Sequence, residues 1–336
     1  MPIKKVRLRA TSPKRLDDAL LEGLPEALGR AVSKAKVRKL IMAGAVYLNG
    51  RPVRVASKPL LAGATVEAVI DVGKLFADAT SRDRKFELTA NRILYEDEDL
   101  IVIDKPAGIP AQPTLDEDRD NLFAAVGRFL SNRDGVAKPY VGVHQRLDRD
   151  TSGIVLFTKT QRVNVAVAEI FSQRRGVKIY QALTVRPPGG SRRKLQQEWT
   201  IRNYLGKISS RGKRSIYGAV DEPGDLAETS FRLITEHPRG LHIEAIPKTG
   251  RTHQIRVHLS EYGLPILGDD LYCPDRNPAC AEMAPRLMLH AARLIFPHPI
   301  TTREISVESP LPGDFVQCLR LLHEAHFPSW TGGAGW

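Results

Sequence analysis

From residue 177 to residue 246 the chain offers five extended runs and no helical one: 177–185, 198–204, 215–220, 230–235 and 241–246. Strands that follow one another without a helix pair antiparallel through turns, because a parallel neighbour needs a crossover of a dozen or more residues. The series predicts an α+β fold with a largely antiparallel mixed sheet, not a doubly wound one. Upstream, Leu100-Ile-Val-Ile-Asp reads as a buried strand. Lys105-Pro-Ala-Gly-Ile-Pro must leave it, since two prolines and a glycine cannot continue a central ladder. Residues 154–157 and 286–295 read as extended, and 121–130, 164–173, 252–262 and 314–323 as helical.

The first quarter has a different grammar. Leu16, Ala19 and Leu20 open a helix at Arg15, and Ser33 is placed to cap a second one. In that second helix Val37, Leu40 and Ile41 share an apolar face, which leaves Lys34, Arg38 and Lys39 for a wet, positive face. After Gly44, residues 45–53 read as strand, Asn-Gly turn and strand, with a further strand at 65–69. The whole chain of 336 residues carries a net charge of +12, and 15 basic against 6 acidic residues in 1–75 supply +9 of it. Such concentration suggests a dedicated polyanion-binding module, the alternative being a solubilising face. The expected organisation is a module at 1–75, a polar linker at 76–92, a larger domain at 93–325 and a tail at 326–336.

Several classes drop out. With 42% hydrophobic residues and no short repeat, the chain is neither fibrous nor disordered. Three cysteines, Cys273, Cys280 and Cys318, are too few for a disulfide scaffold and point to a reducing cytoplasm. No apolar run is long enough for a membrane helix, and the basic start at 1–15 lacks the apolar stretch of a signal peptide. No Gly-x-Gly-x-x-Gly follows a strand. Gly206-Lys-Ile-Ser-Ser-Arg-Gly-Lys has one residue too many between its glycines for a phosphate loop, and reads as a basic surface loop. His253 and His258 stand about 140° apart around a helix, so they read as structural and not as metal ligands. No metal site and no nucleotide cofactor are expected.

The segment Val143-His-Gln-Arg-Leu-Asp-Arg-Asp-Thr-Ser-Gly-Ile-Val-Leu-Phe places two carboxylates and two arginines directly before an apolar strand. Asp148 therefore sits on a loop anchored by a rigid element, a common place for catalytic groups. On composition alone, a solvated loop in which Asp150 caps a turn is an equal reading.

Arg146-Leu-Asp-Arg-Asp-Thr-Ser-Gly resembles the signature of the RluA-type pseudouridine synthases, which isomerise uridine in ribosomal or transfer RNA. Asp104-Lys-Pro-Ala-Gly, Lys178-Ile-Tyr-Gln-Ala, Lys248-Thr-Gly-Arg-Thr-His-Gln-Ile-Arg-Val-His, Pro265-Ile-Leu-Gly-Asp and Leu289-His-Ala follow the same family's order over about residues 93–315. The resemblance implies that Asp148 is the catalytic residue, that Tyr180 stacks on the target base, and that an arginine, assigned here to Arg251, pairs with Asp148. It further implies substrate contacts from Arg146, Lys105 and Leu289. Arg15-Leu-Asp, the basic second helix and Val46-Tyr-Leu-Asn-Gly resemble the S-four-like RNA-binding module over residues 12–70, so Lys34, Arg38 and Lys39 are expected on RNA. Gln145 departs from the histidine usual before Arg-Leu-Asp, and Ala64 from the usual Gly-Asp turn.

These residues suit the reaction. Moving the ribose bond of uracil from nitrogen to carbon five consumes no redox equivalent, energy donor or metal, so no cofactor is expected. Asp148 can attack the anomeric carbon, add to the base, or abstract a ribose proton, and the residues alone do not choose. For Arg251 the alternative is a phosphate contact, and for Tyr180 a place in a strand core. The expected partner is RNA, ribosomal RNA ahead of transfer RNA, acted on by a cytoplasmic monomer. The competing function is a non-catalytic RNA-binding or ribosome-assembly factor. It is disfavoured because Asp148, Arg251 and Tyr180 are all present.

Overall fold

A computed structural model describes residues 3–42, 44–72, 75, 85–113, 120–185, 196–211, 214–273 and 284–324. The chain forms two compact units, the first from Met1–Arg84 and the second from Lys85–Pro113 with Asp120–Trp336. The expected tail at 326–336 lies outside the described residues, as does most of the expected linker.

The first unit runs β1 (Ile3–Arg9), β2 (Lys14–Arg15), α1 (Leu16–Leu28), α2 (Lys34–Met42), β3 (Val46–Leu48), β4 (Arg51–Pro52), β5 (Pro59–Leu60) and β6 (Thr65–Asp71). Its main sheet has the order β1-β6-β3-β4, and β2 pairs β5 separately. The Ser33 hydroxyl accepts the Lys36 N–H at 3.3 Å, the cap expected for α2. Leu16, Leu20 and Leu24 of α1, Val37 and Ile41 of α2, and Val46, Ala68 and Ile70 of the sheet share one fully buried core. Strand β1 was not foreseen. It pairs antiparallel with the whole of β6, from Ile3 opposite Asp71 to Arg9 opposite Thr65.

The second unit opens with a turn of 3-10 helix at Ala90–Arg92 and continues with β7 (Ile93–Glu96), β8 (Leu100–Lys105), α3 (Leu122–Asp134), β9 (Gly142–Val143), β10 (Ser152–Thr158), α4 (Asn164–Ser172) and β11 (Val177–Val185). There follow β12 (Glu198–Arg211), β13 (Arg214–Val220), β14 (Asp225–His237), β15 (Gly240–Pro247), α5 (Gln254–Glu261), β16 (Leu289–Pro297), β17 (Glu304–Glu308) and α6 (Gly313–His323). One sheet takes the order β13-β12-β14-β15-β11-β16-β10-β8-β7, with β17 on β16 and β9 on β10. Among the described pairings only β10 and β16 run parallel, in register at Ser152–His290 and Gly153–Ala291. Helix α3 packs Leu122, Val126 and Leu130 on Ile101, Ile103 and Phe157, while α6 sets Phe315 and Leu322 beside Leu241 and Ile243.

Two expectations fail here. Residues 206–211 and 214–215 are not loop: β12 and β13 pair antiparallel through Ser209–Ile216, Ser210–Ser215 and Arg211–Arg214. Residues 85–92 are not linker, because the Phe86 N–H binds Asp120 Oδ2 at 2.7 Å and Leu88 is buried against α3.

Candidate active site

The loop between β9 and β10 carries Asp148, and its backbone is tied from below. The Arg149 carbonyl accepts the Gly108 N–H at 2.9 Å and the Lys105 ammonium at 3.0 Å. Lys105 is fully buried and also donates to the carbonyls of Pro106 and Ile109, at 3.0 and 2.9 Å. Burial pushes its ammonium down to about 7, with Asp150 and Asp148 opposing the shift. Three carbonyl acceptors match the three N–H donors of the charged form. Where the loop enters β10, Gly153 has φ +108°, and a Cβ there would lie 2.2 Å from the Ala291 carbonyl oxygen. Only glycine lets β10 approach β16 this closely.

Arg256, on α5, reaches this loop. Its Nη1 donates to Asp148 Oδ2 at 2.8 Å, while Nε and Nη2 grip Asp269 at 2.8 and 2.9 Å. Asp269 is itself buried and accepts the N–H groups of Leu271 and Tyr272. Gly268 places it: φ is +72°, and a side chain there would meet the Arg286 carbonyl oxygen at 1.8 Å. Burial acts to lower the Arg256 pKa, but the Asp269 hydrogen bonds and the charges of Asp269 and Asp148 hold it above its ordinary value. The guanidinium lies 5.0 Å over the Tyr272 ring. A fork held at one side by a buried carboxylate has one fixed donor left for Asp148.

A second donor faces the same oxygen. His253 precedes α5 in the left-handed conformation, φ +56°, uncommon for a residue with a side chain. Its Nε2 stands 3.8 Å from Asp148 Oδ2, and its Nδ1 lies 2.8 Å from the Tyr272 hydroxyl. That hydroxyl accepts the Tyr217 N–H at 3.0 Å, so its own proton can go to Nδ1. The imidazole proton then belongs on Nε2, where the facing carboxylate also favours it. Burial lowers the His253 pKa against the opposing charge of Asp148, which favours the neutral ring.

Tyr180 completes the group from β11. A register shift between Ile179 and Tyr180 sets it opposite Ala291, next to the β10 entrance. Its ring is buried, and burial, with the charge of Asp148, raises the phenol pKa. The Asp148 side chain is 30% exposed, enough to meet a ligand.

The family model described as RNA pseudouridylate synthase matches residues 99–261, and that of the S4 domain matches 14–66. The chain is 31% identical over 322 residues to ribosomal large subunit pseudouridine synthase D of Xylella fastidiosa, covering 93% of this chain and 89% of that protein. This chain belongs to the RNA pseudouridine synthase family. The namesake protein of Pseudomonas aeruginosa is 32% identical over 241 residues, 69% of this chain and 72% of its own. Among solved structures, human RNA pseudouridylate synthase domain containing 4 superposes with a TM-score of 0.56 at 25% identity, over 69% of this chain and 93% of that one.

The synthase does not use every expected residue as expected. Arg251 is not the partner of Asp148. It lies before α5, exposed, and donates to the Leu226 carbonyl at 2.9 Å and to Asp225 at 3.2 Å. Arg256, five residues on, takes the role because α5 turns it inward among six consecutive buried residues, Gln254 to Leu259. Lys105 has no surface with which to touch RNA and is a support of the loop. Leu289 is 4% exposed and belongs to the core beside Tyr180. Arg146 is exposed, with Nη2 3.4 Å from the Thr252 hydroxyl. In the first unit Lys34 pairs with Asp18 at 2.8 Å and Arg38 with Asp17 at 3.3 Å, so neither charge is unopposed. Lys39 lies in α2, and its side chain is outside the described residues. Sequence reasoning missed Arg256, His253, Asp269 and Tyr272, although an arginine flanked by Ile255 and Val257 inside a helix signals a buried ion pair.

Proposed function

We propose that this synthase isomerises uridine in ribosomal RNA and that Asp148 is its catalytic residue. The names of its relatives, ribosomal large-subunit synthases, support the substrate class. The observation that carries the mechanism is the 2.8 Å hydrogen bond from buried Arg256 to an accessible carboxylate. In the reaction the N1–C1′ and C5–H bonds break and the C5–C1′ and N1–H bonds form, so nothing is consumed. A carboxylate aimed at the sugar–base junction is placed to attack C1′, to add to the base or to remove a ribose proton. Arg256 aims it, His253 presents an N–H to the same oxygen, and Tyr180, packed in the core and 9% exposed, has only its open edge to offer an extruded uracil as a stacking surface.

The test is Asp148→Asn, which keeps size and removes charge. Single-turnover isomerisation of an unmodified large-subunit ribosomal RNA transcript is expected to fall by several orders of magnitude, with RNA affinity little changed. Retention of more than about a tenth of the wild-type rate would remove Asp148 from the chemistry. Mapping pseudouridine in cells with and without the protein tests the substrate class, and a change confined to transfer RNA would overturn it.

A further inference from the structure

We infer that the outer face of the first unit's sheet, led by the basic strand β1, is a contact surface for the RNA backbone. The inference rests on RNA being the substrate and deepens that reading. Strand β1 ends before residue 14, where the S4 domain match begins, so it adds to the matched module. Period-two alternation splits its side chains. Val6 and Leu8 join the core, and α1 comes so near that a Cβ on Gly23 would be 2.6 Å from Leu8 Cδ1. Lys5, Arg7 and Arg9 therefore point the other way, and all three are exposed. Register carries the same face across the sheet: Arg7 lies opposite Glu67 on β6, and Glu67 opposite Tyr47 on β3. The face thus presents a row of three cations at one edge and an aromatic ring two strands away, about 10 Å off at ordinary strand spacing.

Two cations of α2 differ from those of β1. Lys34 and Arg38 are answered by Asp18 and Asp17, and Arg15 holds Asp17 as well. Lys5, Arg7 and Arg9 form no ion pair among the described residues, and Glu67 is the acid nearest in register. Cations that are already paired release few counterions on meeting phosphate, whereas unpaired ones release about one each. A row of cations with a ring in reach is the arrangement that tracks a backbone and stacks a base.

The experiment measures binding of the full chain to a transcribed bacterial large-subunit ribosomal RNA as salt is varied. Replacing Lys5, Arg7 and Arg9 together by Gln is expected to flatten the slope of log affinity against log salt by about two to three. Replacing Lys34 and Arg38 by Gln should change it by less than about one. Tyr47→Ser should weaken binding about fivefold or more at every salt concentration, and Tyr47→Phe should restore it, because stacking needs the ring and not the hydroxyl. A triple variant that is folded by circular dichroism and keeps the wild-type slope overturns the inference, as does a larger loss from the α2 pair. Binding needs no turnover, so the two readings fail separately. A slope flattened by the triple replacement, in a protein whose wild type does not isomerise this RNA, would sink the ribosomal-RNA reading and leave this surface standing.

Discussion

Arg256 and Arg251 show how far two neighbouring arginines can differ. Arg256 satisfies one fully buried carboxylate with two parallel hydrogen bonds and orients an accessible one with a third. Lysine supplies the charge but not the fork. Arg256→Lys is therefore expected to lower the single-turnover rate at least a hundredfold, and to cost about 1 to 3 kcal/mol of stability, because Asp269 keeps a facing charge but loses a hydrogen bond. Arg251→Lys should change either quantity little, because its partners are a carbonyl and an exposed acid. Paired rate and urea-unfolding measurements on the two variants check this. Equal rate losses would contradict the geometry. Both arginines were visible in one short motif, and what separates them is that one lies inside the helix and the other before it. Arg256 falls between Ile255 and Val257 inside α5, while Arg251 precedes the helix.

At the scale of elements, the site depends on how β10 joins the sheet. Its antiparallel contact with β8 runs from Gly153–Lys105 to Thr158–Leu100, and its parallel contact with β16 is only two residue pairs long. That short contact sits four to five residues from Asp148 and requires a residue without a Cβ. Gly153→Ala should strain the φ and push β10 from β16, lowering stability by about 3 kcal/mol or more and displacing the Asp148 loop. Thermal unfolding together with turnover tests it, and a variant as stable and active as wild type would rule the constraint out. Most strands and helices of this unit were legible as runs of apolar or alternating residues. Strand β1 was not read, because its four cations drew attention to charge although Val6 and Leu8 already alternate with Arg7 and Arg9. The β12–β13 pairing was misread for a similar reason, since a glycine and several cations in its distal half imitate a loop.

For the molecule as a whole, buried histidines set a pH response. His258 is wedged between Thr229 and Asn203, and His242 Nε2 donates to the Gln181 amide oxygen. Burial pushes both down to about 4. An unfolded chain binds these protons near pH 6.5, whereas the folded chain binds them only near 4. The unfolded state therefore holds more protons throughout this window, and stability falls as pH drops from about 6.5 toward 4. Two such groups imply a loss of about 2 to 4 kcal/mol between pH 7 and pH 5. Urea midpoints at the two pH values test this, and an unchanged midpoint would contradict it.

The order of elements, the α+β class and the concentration of charge in the first quarter were readable from residue types and spacing, whereas Asp148 and Tyr180 were singled out by motif resemblance. Such properties are local: periodicity, turn chemistry and motif order each lie within a few neighbouring residues. Which arginine meets Asp148, why Lys105 is a support and not an RNA contact, and which cations of the first unit are already paired depended on contacts across long stretches of chain. Asp148 and Arg256 are 108 positions apart, and Lys105 reaches a carbonyl 44 positions away. Only burial and the pairing it forces distinguish one charged side chain from another of the same type.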